Sequence, residues 1–175
     1  VGTFSFVNSV ASYFVLIANL GTATYAQREI SYVQEDIEKR SEAFWNVFFL
    51  RFATSAVTVA AYFVFSFFSE FKFLFYILSI NIISVIFDIS WFYQGIEDFG
   101  TIMRKNVFFR LLTVLSIFVF VHHESDLPIY CRILCLGTLA ANMSQWVRLS
   151  TLIRKPDFAL VRPFSDIRTV LSLFI

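Results

Sequence analysis

Five long stretches of the sequence contain almost no charged residues, and each is long enough, or nearly so, to cross a lipid bilayer. They cover residues 3–26, 43–69, 73–96, 107–122 and 127–147. A bilayer core about 30 Å thick requires about 20 mostly apolar residues per helix. Strands of a membrane barrel are shorter and alternate between apolar and polar residues. The sequence therefore predicts an all-α, polytopic membrane helix bundle with five full transmembrane helices in a single membrane domain.

The composition agrees with a lipid environment and excludes several other classes of protein. Hydrophobic residues make up 58% of the chain and charged residues 15%, compared with about 45–50% and 25% in soluble domains. The 5 Gly and 3 Pro exclude collagen and disordered linkers, and the net charge of +1 gives no reason to expect a nucleic-acid partner. Cys131 and Cys135 have no further ligands at metal-site spacing, so we expect neither a metal site nor a cofactor.

The two ends of the sequence suggest an internal piece of a longer protein. The chain begins with Val1 rather than Met, and residues 169–175 form the start of a new apolar run. The preceding residues 148–168 are basic and contain Pro156 and Pro163. We expect them to form an inner connector that leads into a sixth span.

The basic residues predict the orientation of the bundle. If the first span runs from outside to inside, all of the 14 Lys and Arg except Lys72 and Arg132 fall on the inner side or near it. Cytoplasmic loops retain Lys and Arg, so we expect the inner side to be cytoplasmic. In the first inner loop, residues 28–42, apolar residues at helical spacing leave two alternatives open: a short helix along the interface, or a solvated helix-loop.

Each predicted span has polar residues at steps of three and four, which place them on one helix face. The stripes are Ser5, Asn8, Ser12, Asn19 and Thr22; Arg51, Ser55, Thr58, Tyr62, Ser66 and Ser69; Asn81, Ser84, Asp88, Trp91 and Gly95; Arg110, Thr113 and Ser116; and Cys135, Thr138, Asn142 and Gln145. Contacts between membrane helices commonly use such residues, which is one explanation. Our hypothesis is that the stripes converge on a water-accessible cavity open toward the basic side.

Two ionisable residues inside the spans, Arg51 and Asp88, are explained least well by helix packing alone. An ionisable group within a span costs at least about 2.5–3.5 kcal/mol and normally faces a cavity or a partner. Asp88 lies about 12 Å from the end of its predicted span at 1.5 Å per residue. It is therefore either an ion-coupling or cavity residue, or a structural carboxylate paired with Arg51 or Arg110.

Two segments resemble a known family of membrane transporters. Residues 18–30, ANLGTATYAQREI, and residues 87–106, FDISWFYQGIEDFGTIMRKN, are similar to segments of the Wzx-type polysaccharide repeat-unit flippases. These belong to the multidrug/oligosaccharidyl-lipid/polysaccharide exporter superfamily. The resemblance implies that the chain is a partial amino-terminal lobe of a two-lobe transporter, with no enzyme activity, in the bacterial cytoplasmic (inner) membrane.

The same resemblance implies a substrate, a direction of transport and partners. An undecaprenyl-pyrophosphate-linked oligosaccharide would move from the inner to the outer leaflet for capsule or O-antigen assembly. Membrane lipid and this lipid-linked oligosaccharide would be partners, and a polysaccharide polymerase is a further candidate. The second segment would form a cytoplasmic rim, in which structural roles are favoured and Glu97 and Arg104 could form a gate pair. The rim residues are Trp91, Gln94, Gly95, Glu97, Asp98, Phe99, Arg104 and Asn106.

Candidate substrate ligands follow from the chemistry of a pyrophosphate-linked sugar. A pyrophosphate cannot enter hydrocarbon uncovered, and the planar donors of Arg bind phosphate oxygens in pairs. Arg51 is the first candidate for that contact, and Arg28 and Arg110 come next. The candidates for contacts with the sugar are Asn142, Gln145 and Tyr62.

Two other functions remain open at this point. The first is a cation-coupled small-molecule or drug antiporter of the same superfamily, in which Asp88 would bind a proton or Na⁺. The second is a membrane-embedded enzyme of polysaccharide synthesis that uses His122 and His123 with Glu124 and Asp126 as an acid–base set. A solvated loop is the favoured explanation of those four residues, because no nucleophile accompanies them.

Overall fold

The computed structural model describes residues 2–19 and 21–156, and over that part of the chain every regular element is a helix. The seven α-helices are α1 Gly2–Asn19, α2 Thr22–Tyr32, α3 Ile37–Phe67, α4 Lys72–Phe87, α5 Ser90–Gly95, α6 Phe99–Phe120 and α7 Leu127–Gln145, with 3₁₀ turns at Glu124–Asp126 and Trp146–Thr151. The prediction of an all-α membrane bundle is confirmed. The second part of the predicted connector and the predicted start of a sixth span lie outside the described residues.

Four segments of the described chain are long and apolar enough to cross a membrane. They are Phe4–Tyr32, Ile37–Phe67, Lys72–Gly95 and Leu127–Thr151. The predicted number of five is one too many by this measure. The difference is α6, which contains Arg104, Lys105 and Arg110, so that its longest stretch without a charged residue is its last ten residues.

Two of the predicted spans are interrupted near the same end of the bundle. Gly21 separates α1 from α2 and has φ 67°, a left-handed conformation that glycine adopts without a steric penalty. Asp88 ends α4 in an extended conformation, and the short α5 begins two residues later. The first and third spans therefore each consist of a long helix and a shorter one.

The starts of α3 and α6 are each fixed by an aspartate. The carboxylate of Asp36 accepts hydrogen bonds from the backbone N–H groups of Lys39 and Glu38, and these bonds hold the pKa of Asp36 below its usual value. Asp98 accepts a hydrogen bond from the backbone N–H of Thr101 at 3.2 Å. Such N-caps satisfy donors that have no partner within the helix.

Hydrogen bonds between helices define an alternating up-and-down order. The Tyr62 hydroxyl of α3 donates to the Phe75 carbonyl of α4 at 3.0 Å, while Arg51, earlier on α3, donates to the carbonyl of Val85, later on α4, so α3 and α4 are antiparallel. On α7, Asn142 donates to the Ser84 carbonyl at 2.9 Å. The indole of Trp146, which follows α7, donates to the Phe87 carbonyl at 2.8 Å, so α4 and α7 run in the same direction.

The helix α6 lies at the edge of the bundle, antiparallel to α7. Lys105 near its start donates to the Ser144 carbonyl near the end of α7 at 2.7 Å, and Asp98 pairs with Arg148 at 3.2 Å. Only Thr101 and Ile102 of α6 are buried. Its outer surface is mostly apolar, so α6 presents a hydrophobic exterior next to α7.

The charges are divided between the two ends of the bundle. We call the end where α1 and α4 finish and α3 and α6 begin the basic end. Its basic residues are Arg28, Lys39, Arg40, Arg104, Lys105, Arg148, Arg154 and Lys155. At the opposite end, Lys72 and Arg132 lie over the rings of Phe67 and Phe73 at 5.1 and 5.4 Å. This division agrees with the count from the sequence, and the assignment of the basic end to the cytoplasm remains a prediction.

Two hydrophobic cores lie one above the other along the bundle. At the basic end, α2, α5 and the start of α3 pack around an aromatic cluster in which the rings of Phe44 and Trp91 stack at 5.2 Å. Toward the other end, α1, α3, α4 and α7 enclose Tyr62, Phe75 and Leu78. The residues after α7 complete the basic-end core, because Trp45 donates to the Arg154 carbonyl at 2.9 Å.

Candidate functional site

Arg51 lies between the two cores and joins the two interrupted spans. Its side chain is 1% exposed. Nη2 donates to the Asn19 side-chain oxygen at 2.6 Å and to the Asp88 carboxylate at 3.2 Å, and Nε donates to the Val85 carbonyl at 3.1 Å. Asn19 is the last residue of α1, and Asp88 is the residue at which α4 ends. Arg51 therefore binds the ends of both helices, and we call this group of contacts the arginine clamp.

The position of the arginine clamp explains how a guanidinium can be buried here. The last carbonyls of a helix have no partners within it and give that end a partial negative charge. Arg51 is next to two such ends and the Asp88 carboxylate, so three sources compensate its charge. Asp88 is 29% exposed, and its other oxygen accepts a hydrogen bond from the Ser90 N–H at 3.0 Å. Of the two alternatives for Asp88, the geometry matches a structural partner of Arg51.

The polar stripe of α3 faces the interior of the bundle. Ser55, Thr58, Tyr62 and Ser66 are all buried. The hydroxyls of Thr58 and Ser66 donate to carbonyls one turn earlier in the same helix, at 2.8 and 2.7 Å, and therefore need no water. The expectation that this face of α3 lines a water-accessible cavity is wrong in this structure.

Two of the three candidate sugar contacts lie in the packed interior for the same reason. The Tyr62 hydroxyl already donates its hydrogen bond to the Phe75 carbonyl. Gln145 is 1% exposed, and its backbone carbonyl accepts a hydrogen bond from the Tyr93 hydroxyl at 2.6 Å. Asn142 is different, because it is half-buried and lines a groove.

That groove, which we call the polar groove, runs between α6 and α7 and has a volume of about 400 Å³. Its polar lining residues are Asn106, Arg110, Thr113, Thr138 and Asn142. On each helix these residues follow steps of three or four, so they lie on one face. The structure thus brings together the polar stripes of the fourth and fifth predicted spans, with Asn106 of the rim segment.

Beside the polar groove, α6 and α7 come into close contact at Gly137. A Cβ on Gly137 would lie 2.1 Å from the Thr113 hydroxyl oxygen, so only glycine permits this approach. On the other side of the contact is a second groove of about 260 Å³, whose lining includes Leu112, Leu136 and Ala140 and is mostly apolar. The α6–α7 pair therefore has one face that combines polar and apolar residues and one that is mostly apolar.

Arg110 is the central cation of the polar groove. It lies near the middle of the 22-residue α6, and its side chain is exposed. Within residues 2–19 and 21–156 it has neither an ion-pair partner nor a hydrogen-bond partner. A charged side chain directed into lipid at that depth would cost at least about 2.5–3.5 kcal/mol. The polar face of the α6–α7 pair is therefore suited to a water-filled space or to a bound anion.

The remaining predicted residues lie around the basic end. Arg28 is exposed, 3.7 Å from Glu29, and is not part of the polar groove. Trp91 is buried, and its indole donates to the Asp88 carbonyl at 3.2 Å. Gly95 permits α5 to contact α2, since a Cβ there would lie 2.9 Å from the Gln27 carbonyl. Trp91 and Gly95 of the rim segment thus have packing roles.

The predicted gate pair between Glu97 and Arg104 does not form in this structure. Arg104 donates to the Gly100 carbonyl at 3.1 Å within its own helix, and Glu97 is exposed in a left-handed turn with φ 61°. The ion pair at this place joins Asp98 to Arg148 instead. Gln94 is half-buried, and Phe99 is 56% exposed.

Sequence reasoning missed Lys105, Arg148 and Gly137. We used the two cations only to count charge, although Lys105 is next to Asn106 in the polar stripe of α6. Gly137 lies one residue before Thr138 in the stripe of α7, and an isolated glycine in a membrane helix indicates close contact with another helix. Both features can be seen in the sequence, but their role could be interpreted only once the structure showed that α6 packs against α7.

The loop that carried the proposed acid–base set has a structural carboxylate. Asp126 accepts hydrogen bonds from the backbone N–H groups of His122 and His123, both at 3.0 Å, and these bonds lower the pKa of Asp126. The carboxylate thus closes the turn before α7. The imidazole Nδ1 of His123 also lies 3.7 Å from this carboxylate.

Comparison with known proteins gave one match. The model of a family described as polysaccharide biosynthesis protein matches residues 1–172, which includes both segments that resemble flippases. No curated protein and no solved structure matches the chain.

Proposed function

The chain belongs to the polysaccharide biosynthesis protein family, the family of the Wzx-type flippases, and we propose that it carries a lipid-linked oligosaccharide across the bacterial cytoplasmic membrane. Its membrane-length helices make it a multi-pass membrane protein. The proposed substrate is an oligosaccharide repeat unit on undecaprenyl pyrophosphate, which moves from the inner to the outer leaflet. Capsule or O-antigen assembly would use the product.

The polar groove is the observation that supports this proposal. Arg110 provides an unpaired guanidinium at mid-depth, and the amides of Asn106 and Asn142 lie in the same groove. Guanidinium groups bind phosphate oxygens through paired hydrogen bonds, and amides and hydroxyls bind sugars through neutral ones. The groove thus offers both kinds of contact that a pyrophosphate-linked sugar needs.

The two faces of the α6–α7 pair suit a substrate that is itself divided into polar and apolar parts. A pyrophosphate headgroup must be shielded from hydrocarbon, because removing its charge from water is costly. The polar groove would contact the headgroup, while the polyprenyl chain stays in lipid. Movement would follow from rocking of this helix bundle against the remainder of the transporter, as in other carriers with alternating access.

The structure changes the order of the candidate ligands. Arg51 was the first choice for the pyrophosphate, but it is buried inside the bundle, where its Nε and Nη2 donate to Val85, Asn19 and Asp88 and its Nη1 has no hydrogen-bond partner among the described residues. Arg110 takes its place, because its side chain is accessible and unpaired among the described residues. The antiporter alternative is less well supported, because Asp88, its proposed coupling residue, is paired with Arg51.

The proposal is tested by replacing Arg110 in the intact protein, in cells that depend on it for surface polysaccharide. Arg110→Gln should abolish surface polymer, because the anionic headgroup loses its cationic partner, while the amount of protein in the membrane is unchanged. Arg110→Lys should retain part of the activity, because charge remains but the paired donors are lost. Arg132→Gln, at the opposite end of the bundle, is the matched control. Normal polymer with Arg110→Gln would refute the proposal.

A further inference from the structure

The two helices that form the polar groove present different hydrogen-bonding groups to it. On α6, the groove is lined by Arg110, whose guanidinium can only donate, and by Asn106. On α7, it is lined by Thr138 and Asn142, which lie one helical turn apart. The hydrogen bonds that these two side chains already make determine which groups the α7 side of the groove can still bind.

The amide of Asn142 is held in one orientation by the end of α4. Its Nδ2 donates to the Ser84 carbonyl at 2.9 Å, and since a carbonyl can only accept, the nitrogen must lie on that side. Ser84 belongs to the last turn of α4, whose carbonyls have no partner within the helix. The amide oxygen, Oδ1, accepts no hydrogen bond from the described residues and is not buried. Asn142 therefore offers the groove an accessible acceptor.

The hydroxyl group of Thr138 also offers an acceptor. Its hydrogen is used within its own helix, because Oγ1 donates to the Leu134 carbonyl at 3.0 Å. A hydroxyl has one hydrogen and two lone pairs, so the lone pairs of Thr138 remain free, and the side chain is exposed. The α7 side of the groove thus has two neighbouring acceptor oxygens, opposite the cation on α6.

Acceptor oxygens of this kind distinguish a sugar from a phosphate. Phosphate oxygens are acceptors, so they would meet acceptors on the α7 side, whereas Arg110 on the α6 side is their natural partner. A sugar offers O–H groups, and an acetamido sugar also N–H groups, which both donate. We infer that Thr138 and Asn142 form a subsite that accepts hydrogen bonds from the carbohydrate, and that this subsite distinguishes the loaded carrier lipid from the bare one.

This inference rests on the proposed function, because the carbohydrate is part of the proposed substrate. The test measures two affinities of the intact protein by native mass spectrometry in detergent micelles. One probe is the undecaprenyl-pyrophosphate-linked repeat unit purified from the cells that produce the protein. The other is undecaprenyl pyrophosphate without sugar. We expect the parent to bind the first probe at least about tenfold more tightly, as one or two additional neutral hydrogen bonds would provide.

Thr138→Val is the most informative variant, because valine has nearly the shape of threonine and lacks the hydroxyl. It should weaken binding of the repeat unit about fivefold and leave binding of the bare lipid unchanged. Thr138→Ser keeps the hydroxyl and should bind both probes like the parent. The matched control is Ser116→Ala, since Ser116 lines the second groove and its hydroxyl has the same kind of bond, to the Leu112 carbonyl at 2.8 Å. It should not alter either affinity.

Asn142→Leu tests the second acceptor and should also reduce the preference for the repeat unit. This variant additionally loses the bond to Ser84, so its affinity for the bare lipid shows whether the groove is intact. If the parent binds both probes equally, or if Thr138→Val binds the repeat unit like the parent, the inference is overturned. Equal weakening of both probes by Thr138→Val would also overturn it.

The proposed function can fail separately. Arg110→Gln should weaken the binding of both probes, because both contain the pyrophosphate. If Arg110→Gln binds both probes like the parent while Thr138→Val loses only its preference for the repeat unit, Arg110 is not the headgroup ligand and the carbohydrate subsite stands. If Arg110→Gln weakens both probes and Thr138→Val changes neither affinity, the subsite fails and the role of Arg110 stands.

Discussion

The arginine clamp allows a quantitative prediction about a buried ion pair. Three variants are compared: Asp88→Asn, Arg51→Met, and the two together. Asp88→Asn removes the negative charge and leaves the Arg51 guanidinium in place, with 1% of its side chain exposed. Arg51→Met removes the positive charge and leaves Asp88, which is 29% exposed and can be hydrated. The two single changes are therefore not equivalent.

The expected magnitudes follow from this difference in exposure. Removing one partner of a buried ion pair costs about 3–5 kcal/mol, because the other charge is left uncompensated. We expect about 3 kcal/mol for Asp88→Asn, since Asn19 and Val85 still accept hydrogen bonds from Arg51, and about 2 kcal/mol for Arg51→Met. The double variant leaves neither charge without its partner, so its free energy of unfolding should fall by only about 1–2 kcal/mol. Adding Arg51→Met to Asp88→Asn should therefore restore stability.

The measurement is unfolding of the intact protein in mixed micelles with increasing sodium dodecyl sulfate, followed by tryptophan fluorescence. Trp91 donates to the Asp88 carbonyl and should report on this region. Export of surface polymer by the double variant provides a second readout. Because neither residue lines the polar groove, the double variant should still export polymer.

Two results would refute this reasoning. Parental stability of Asp88→Asn would show that the buried guanidinium does not depend on its carboxylate. A double variant that is the least stable of the three would show that the two residues contribute independently. A double variant that is stable but does not export polymer would instead return Arg51 to the list of substrate ligands.

Two further predictions concern a close helix contact and a turn. Gly95→Ala should destabilise the protein by about 1–3 kcal/mol, measured by the same unfolding assay, because the new methyl group would overlap the Gln27 carbonyl. Asp126→Asn should lower the melting temperature above about pH 4, where the carboxylate holds the N–H groups of His122 and His123. The pKa of Asp126 is depressed in the folded protein, so the difference in melting temperature between Asp126→Asn and the parent should disappear as the pH falls through that depressed pKa.

The long helices were predictable, because a helix that crosses hydrocarbon must be formed by one continuous apolar stretch of sequence. The apolar stretches that became α1, α3, α4 and α7 are each visible without knowledge of the fold. The fourth stretch was harder to assess. Its apolar part is short, and α6 instead starts at Phe99 and has three basic residues among its first twelve.

The interruptions of the first and third spans were not predictable from hydropathy. The residues around Asp88 continue the apolar pattern without Gly or Pro, so nothing local marks the end of α4. The helix ends there because Asp88 bonds to Arg51, 37 residues earlier in the chain. The first inner loop shows the same limitation. Ile30 could have faced lipid or water in isolation, but in the fold it packs against α5 in the basic-end core.

The polar stripes were correctly located on their helices, yet their partners could not be predicted. A step of three or four residues defines a face of one helix and contains no information on which helix covers it. The stripe of α3 meets α1 and α4 and is buried, whereas the stripes of α6 and α7 meet each other and leave a groove. Gly137 contributes to that difference, because it permits α7 to approach Thr113 of α6 closely.

The two arginines within the bundle show how burial and compensation separate a structural charge from a functional one. Arg51 is surrounded by two helix ends and a carboxylate, so its charge is balanced within the fold, and an additional anion would have to displace those partners. Arg110 has no such compensation among the described residues, although it too lies near the middle of its helix. Since an uncompensated charge at mid-membrane is costly, its position requires water or a bound anion. The residue that the fold does not neutralise is therefore the one expected to bind the substrate.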